Sequence, residues 1–172
     1  YRILGGLGTD EPNSLVRGEF YGGYQFQHQN QDLLVPGFSQ NSDSGVFGGR
    51  VYYYPTRYWT LIASVDEALS MSTFLQPNLP VGSPVLVTTA ILQTTYALSQ
   101  QWSIGARVGY TRGDYFALDR LDNGWMVGAS FNYAIWRNLN VTLDYQYSTV
   151  NSNVPGNDFS RNAFTGGLTY RY

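Results

Sequence analysis

Apolar and polar side chains alternate along most of this chain with a period of two. Successive side chains of a β-strand point to opposite faces, so the alternation predicts strands with one greasy and one wet face. The last run shows it plainly. Phe164, Gly166, Leu168, Tyr170 and Tyr172 fall on one side, and Ala163, Thr165, Gly167, Thr169 and Arg171 on the other. Eight further runs precede it. Tyr1–Leu7 alternates weakly. The second sets Phe20, Gly22, Tyr24 and Phe26 against Glu19, Tyr21, Gly23 and Gln25; the third sets Phe47, Gly49, Val51 and Tyr53 against Gly48, Arg50 and Tyr52. The fourth opposes Trp59, Leu61, Ala63 and Val65 to Thr60, Ile62, Ser64 and Asp66. The fifth carries Leu86, Ala90, Leu92 and Tyr96 on one face, but Val85, Val87 and Ile91 make its other face less polar than elsewhere. The sixth, seventh and eighth are clean: Trp102 to Tyr110, Trp125 to Ile135 and Leu139 to Tyr147 place every second residue on the apolar side.

No spacing of i, i+3, i+4 persists anywhere, so the chain reads as all-β. Connections alternate between short turns, at Pro55–Arg57, Ser99–Gln101 and Trp136–Asn138, and polar loops, at about Asn30–Asp43, Ser72–Pro84, Ala117–Gly124 and Asn151–Ser160. The runs are about nine to fourteen residues, longer than most soluble strands and long enough to cross a bilayer at a tilt. Trp59, Trp102 and Trp136 stand beside the short turns with Tyr53, Tyr54, Tyr96 and Tyr133; Tyr110, Tyr115, Trp125 and Tyr147 stand at the other ends. Amphipathic rings favour the membrane–water boundary, so these are two expected girdles. The predicted fold is an antiparallel up-and-down transmembrane β-barrel, one domain over residues 1–172. If the weak first run is not a strand, eight strands suffice for a small closed barrel; if it is, nine strands form part of a larger one. The larger barrel, of which this chain is the C-terminal part, is the expectation.

Composition sharpens this picture. Charged residues make up 13 % of the 172 residues, against roughly 25 % in soluble domains, and aromatics 16 %. Mean hydropathy is −0.25, and no apolar run approaches the roughly 18 residues of a membrane helix. A tyrosine-rich soluble barrel would show the same alternation with its apolar face inward. Girdles at strand ends favour lipid outside. A net charge of −2 argues against a nucleic-acid partner. With no cysteine there is neither a disulfide framework nor a thiolate metal site.

The polar side then faces an interior. Arg50, Arg107 and Arg171 balance Glu19, Asp66 and Asp144 there, beside Tyr52, Asn132, Asn140 and Gln146. Two roles are open: ion pairs that stiffen the wall, or the lining of a weakly selective aqueous pore. The one histidine, His28, adjoins Ser39, Ser42 and Asp43, the parts of an outer-rim hydrolase; a solvated loop-edge histidine is the plainer reading. Asp32, Asp43, Asp119, Asp122 and Asp158 lie in expected outer loops, but their spacing fits no compact calcium loop. No catalytic residue, metal site or cofactor is expected.

The terminal strand, with Phe164, Leu168, Tyr170 and Tyr172, resembles the C-terminal strand of bacterial outer-membrane barrels, which implies recognition by the barrel-assembly machinery. Several stretches resemble the type 2 β-barrel porin family: Val51-Tyr52-Tyr53-Tyr54-Pro55-Thr56-Arg57, Gly109-Tyr110-Thr111-Arg112-Gly113-Asp114-Tyr115, Trp136-Arg137-Asn138-Leu139, and Ser152 to Asp158 through the last strand. The resemblance covers roughly residues 46–172 and implies a non-enzymatic, porin-like channel in the outer membrane of a Gram-negative cell, surrounded by lipid. It also implies a link to extracellular-polysaccharide export, or passive diffusion of small solutes. Family members are usually longer, which implies strands upstream. A small closed barrel, structural or adhesive through its external loops, is the alternative.

Overall fold

The computed structural model describes residues 1–9, 11, 14–27, 42–71, 84–116 and 119–170. Among them the regular elements are all strands: β1 (Arg2–Thr9), β2 (Val16–Gln27), β3 (Ser42–Thr56), β4 (Trp59–Met71), β5 (Pro84–Ala97), β6 (Trp102–Tyr115), β7 (Arg120–Trp136), β8 (Leu139–Ser152) and β9 (Phe159–Tyr170). Each pairs with the next in one antiparallel, up-and-down sheet. The weak first run is therefore a strand. The strand order runs from β1 to β9 without closing, so the wall keeps two edges among the described residues.

Tight hairpins join the strands at one end. Thr56 pairs with Trp59 across Arg57-Tyr58, and Trp136 pairs with Leu139 across Arg137-Asn138. A register shift precedes each turn, between Tyr53 and Thr56 and between Ala134 and Trp136. The extra residue rotates the strand. It brings Trp136 to the side of Tyr133 and Leu139, although its position in the alternation would put it on the other.

The two faces differ as the alternation requires. Along β6, Trp102, Ile104, Ala106 and Val108 are exposed while the residues between them are partly or wholly buried. On neighbouring strands Trp125 is 52 %, Val127 54 %, Leu143 53 % and Phe164 82 % exposed, all on that same apolar side. Side chains inside a curved wall shade one another, and those outside splay apart. The polar face is thus the concave one. No side chain is fully buried among the described residues, and only Val46, Leu69, Val85 and Tyr115 form anything like a core. A water-soluble protein does not leave so much contiguous apolar surface open.

This surface forms a slanted band. Trp59, Tyr96, Ile104, Phe131 and Leu143 share one cross-strand row; Trp102 and Tyr133 lie in the next, and Leu139 and Tyr170 in the one after. The lower aromatic boundary drops through the ladder from β4 to β9, as tilted strands require. From Trp102 to Tyr110 the strand climbs roughly 27 Å at ~3.4 Å per residue. At a tilt of about 40° this is roughly 20 Å, close to the ~25 Å apolar band of bacterial barrels. Polar groups take over above it on the outward face: Glu67 accepts a hydrogen bond from Thr88 at 2.7 Å, and Asn123 one from Tyr110 at 2.6 Å. Within the band, Trp59 donates its indole N–H to Thr94 at 2.7 Å, so neither group meets lipid unpaired.

Three expectations change. Tyr54 and Tyr115 belong to the concave face, not the girdles: Tyr54 stacks on Tyr52, and Tyr115 lies opposite Val85. The loops expected at Ala117–Gly124 and Asn151–Ser160 are shorter, because β7 begins at Arg120 and β8 runs to Ser152. Side chains do the capping there: Asn153 accepts from the Leu121 amide at 2.8 Å and donates to the Asp119 carbonyl at 2.9 Å. The loop segments 28–41 and 72–83 lie outside the described residues, as do Arg171 and Tyr172.

Valine 127 sits mid-band on the convex face, and Thr165 on the concave face opposite Asp144. Val127→Arg is expected to destabilise the protein in bilayers by about 2–4 kcal/mol, the range for a cation at mid-membrane. Thr165→Arg is expected to change stability by less than about 0.5 kcal/mol. Urea unfolding in lipid vesicles compares them; equal effects would contradict the assignment of faces.

Candidate functional site

The concave wall carries the charged and aromatic polar groups, so the site is built there. Arg107 of β6 lies in one cross-strand row with Gly128 of β7 and Gln146 of β8. Its guanidinium crosses β7 and grips Asp144 through two hydrogen bonds of 2.7 and 2.8 Å, with a third to Gln146 at 3.0 Å. This fork geometry is the strong form of an arginine–carboxylate pair. The path is open because residue 128 has no side chain. A Cβ there would stand 2.9 Å from Arg107 Nε and 3.0 Å from the Tyr145 carbonyl oxygen.

The same device recurs on β2–β4. Tyr21, Gly48 and Asp66 share a row, and the Tyr21 hydroxyl passes over Gly48 to donate to Asp66. A Cβ on Gly48 would overlap the Tyr21 ring. In each case a long donor on one strand skips a glycine on the second and ends on a carboxylate of the third. Each brace fastens three strands and shields a charge.

A third cluster lies at the outer rim, beyond the apolar band. Arg120 is only 8 % exposed. It binds Asp122 through Nε at 2.9 Å and Nη2 at 2.6 Å, and its guanidinium carbon stands 4.5 Å over the Tyr115 ring. The Tyr115 hydroxyl also donates to Asp122, at 3.1 Å. Burial pushes the Tyr115 hydroxyl above its usual range, and the Asp122 charge adds to this. Burial also works against ionised Asp122, but hydrogen bonds from Arg120 and Ser152 outweigh it and hold this carboxyl below the ordinary range. Val85 and Val87, the odd apolar residues of the fifth run, line a recess here of about 340 Å³ with Val150 and Phe159. They face a greasy pocket on the concave side, which is why that run lacked a clean polar face.

The residues expected to line the interior fare unequally. Arg107 and Asp144 are brought together. Asp66 is held by a tyrosine rather than an arginine. Glu19 and Arg50 are direct cross-strand partners, both exposed. Arg171 lies outside the described residues, as does His28, so the rim-hydrolase pair gains no geometry. Among the described residues no group of three acidic or histidine side chains could hold a metal. Sequence reasoning treated Asp122 as loop charge and overlooked Arg120. The signal was present: both keep the alternation phase of Met126, one and two steps beyond Gly124.

The family model described as Putative beta-barrel porin 2 matches residues 1–172. No curated protein matches the chain.

Two results are expected from this geometry. Gly128→Val should push Arg107 off Asp144 and cost about 1–3 kcal/mol, the penalty of an unsatisfied charged partner; unfolding of this variant against Gly128→Val/Arg107→Ala reads it, since the valine should cost less once the arginine is gone. A depressed carboxyl contributes stability that is complete above its unfolded pKa and fades as pH falls through the folded one. Exchange of the Leu121 and Asp122 amides, corrected for its intrinsic pH dependence, should therefore stay slow down to the ordinary carboxylate range and quicken only below it. A transition near neutrality would contradict this.

Proposed function

Because the chain belongs to the Putative beta-barrel porin 2 family, we propose that it forms the wall of a non-enzymatic channel in the Gram-negative outer membrane. One observation carries the reading. Large apolar side chains stand exposed on the convex face, while Arg107, Asp144, Tyr21 and Asp66 look inward. Lipid satisfies the first surface and water the second. No backbone edge can stay unpaired in hydrocarbon, so the β1 and β9 edges are both paired in the working protein. A wall of more than eight strands encloses more than its own side chains can fill, leaving an aqueous path.

The path serves export of an extracellular polysaccharide, with small solutes diffusing through it passively. Short hairpins face the periplasm and longer loops the exterior, as in other bacterial barrels. Outer-membrane lipid wraps the band, and the assembly machinery reads β9 through Phe164, Leu168 and Tyr170. Of the six interior charges named from the sequence, Arg107 is the one whose loss should be felt most. Its removal leaves Asp144 as an uncompensated anion on the wall.

In planar bilayers the intact protein should conduct, with weak ion selectivity. Arg107→Ala should shift preference toward cations by about two- to fivefold, as a fixed negative charge in a pore does. If conductance and selectivity both stayed as they were, the lining role of Arg107 would fail. An absence of conductance in the unmodified protein would sink the channel itself.

A further inference from the structure

We infer that the β7–β8 hairpin is a docking site for the headgroup of an anionic phospholipid on the periplasmic side of the membrane. The inference rests on the membrane placement proposed above and adds the class of lipid. Two groups with unspent donors stand side by side there. The register shift before the turn carries Trp136 to the convex side, where it is 70 % exposed. Its indole N–H finds no acceptor among the described residues, whereas Thr94 takes that of Trp59. Arg137 follows as the first turn residue and is exposed. Among the described residues no carboxylate pairs with it. Trp136, Leu139 and Tyr170 form one cross-strand row at the edge of the apolar band. A ring seated at the acyl boundary, with a guanidinium one residue further out, matches the two parts of a lipid, chain and headgroup.

The charge around this turn favours an anion. The β5–β6 hairpin adjoins it, with the Ala134 amide donating to the Gln101 carbonyl at 2.9 Å, and so does the end of β9, where Tyr170 pairs with Leu139. Residues 97–103, 133–142 and 167–171 contain Arg137 and Arg171 and no Asp or Glu. Even with a terminal carboxylate counted after Tyr172, Arg137 stays in excess. Asp144, further along β8, is already held by Arg107. The outer boundary differs. There the convex face carries Asp43, Glu67 and Asp114 against Arg112. The β3–β4 hairpin repeats the arrangement of the β7–β8 one: a register shift, Arg57 as first turn residue, and its guanidinium carbon 4.5 Å over the Tyr58 ring. The neighbouring β1–β2 connection sets Asp10 and Glu11 against Arg17 and Arg57, so no excess arises there. Arg137 is therefore the selective cation. A zwitterionic headgroup offers the same phosphate but cancels it with its own cation, and an anionic one does not. A guanidinium at the surface of an anionic leaflet is attracted to it.

Brominated lipids, which quench tryptophan on contact, test this at the site itself. The variant Trp59→Phe/Trp102→Phe/Trp125→Phe keeps Trp136 as its one tryptophan. In phosphatidylcholine vesicles at low salt, brominated phosphatidylglycerol should occupy the position beside it about fivefold more readily than brominated phosphatidylcholine, the effect of one cation at an anionic surface. Raising salt to about 1 M should bring the two together. Adding Arg137→Gln should do the same, while Arg161→Gln, on the concave face opposite Ser148, should leave the preference intact. Equal occupancy by the two lipids at low salt, a preference that survives Arg137→Gln, or one lost with Arg161→Gln would each overturn the inference and leave the membrane placement standing. Absence of quenching by either lipid would remove both. Should the triple variant not insert, the comparison runs with all four tryptophans present. Arg137→Gln should then lower quenching by the brominated phosphatidylglycerol and leave that by the phosphatidylcholine as it was; no change in either would overturn the inference.

Discussion

A wall one residue thick cannot hide anything from both sides. In hydrocarbon each backbone N–H and C=O must be satisfied sideways by a neighbouring strand, because no water can do it. That constraint sets the rest of the structure. It dictates strands, antiparallel neighbours in chain order, and side chains that alternate between lipid and interior. It also explains why so many large apolar residues show no packed centre among the described residues. The apolar groups are spent on the solvent outside rather than on each other. The slanted course of the aromatic boundary, from Trp59 through Trp102 to Tyr170, follows from the same rule, since strands that close around an interior must tilt.

With no core, stiffness must come from elsewhere. The concave face supplies it through long polar side chains laid across glycines. Tyr21 over Gly48 and Arg107 over Gly128 each tie three strands, and each ends on a carboxylate that would otherwise stand alone. A charge-assisted pair of this kind, partly shielded from water, holds its geometry better than an exposed pair on a soluble surface. The rim cluster of Arg120, Asp122 and Tyr115 repeats the principle where the hairpins leave the membrane. The braces also determine which charges are left to meet a solute. Those of Asp66 and Asp144 are already engaged, while Arg50 and Glu19 stay exposed.

Much of this was legible in the sequence because a period of two survives translation into a strand unchanged. The facing of Leu143 against Asp144, or Val108 against Arg107, needed only counting. Counting failed where a bulge or a bend intervened. The shift before Trp136 moves that ring across the wall, and no local residue preference announces it. Tyr54 and Tyr115 sit near strand ends, so position suggested the girdles, yet phase placed them inside; phase was the better guide. The start of β7 and the end of β8 were misjudged because Asp, Asn and Ser suggest loops. Here Asn153 and Asp122 use their side chains to extend the hairpins instead. The partner of each charge was not legible at all. Arg107 finds Asp144 only because a single strand lies between them in register and offers a glycine at the crossing.

The central claim is that lipid bathes one face of these strands and water the other, and β8 allows the most direct measurement. The chain contains no cysteine, so Leu143→Cys, Tyr145→Cys, Tyr147→Cys, Thr142→Cys, Gln146→Cys and Ser148→Cys can each carry a lone nitroxide in vesicles. Collision rates with oxygen, which dissolves in lipid, and with a water-soluble nickel chelate should alternate with a period of two. Positions 143, 145 and 147 should favour oxygen, and positions 142, 146 and 148 the chelate. The opposite phase, or no alternation at all, would contradict the account.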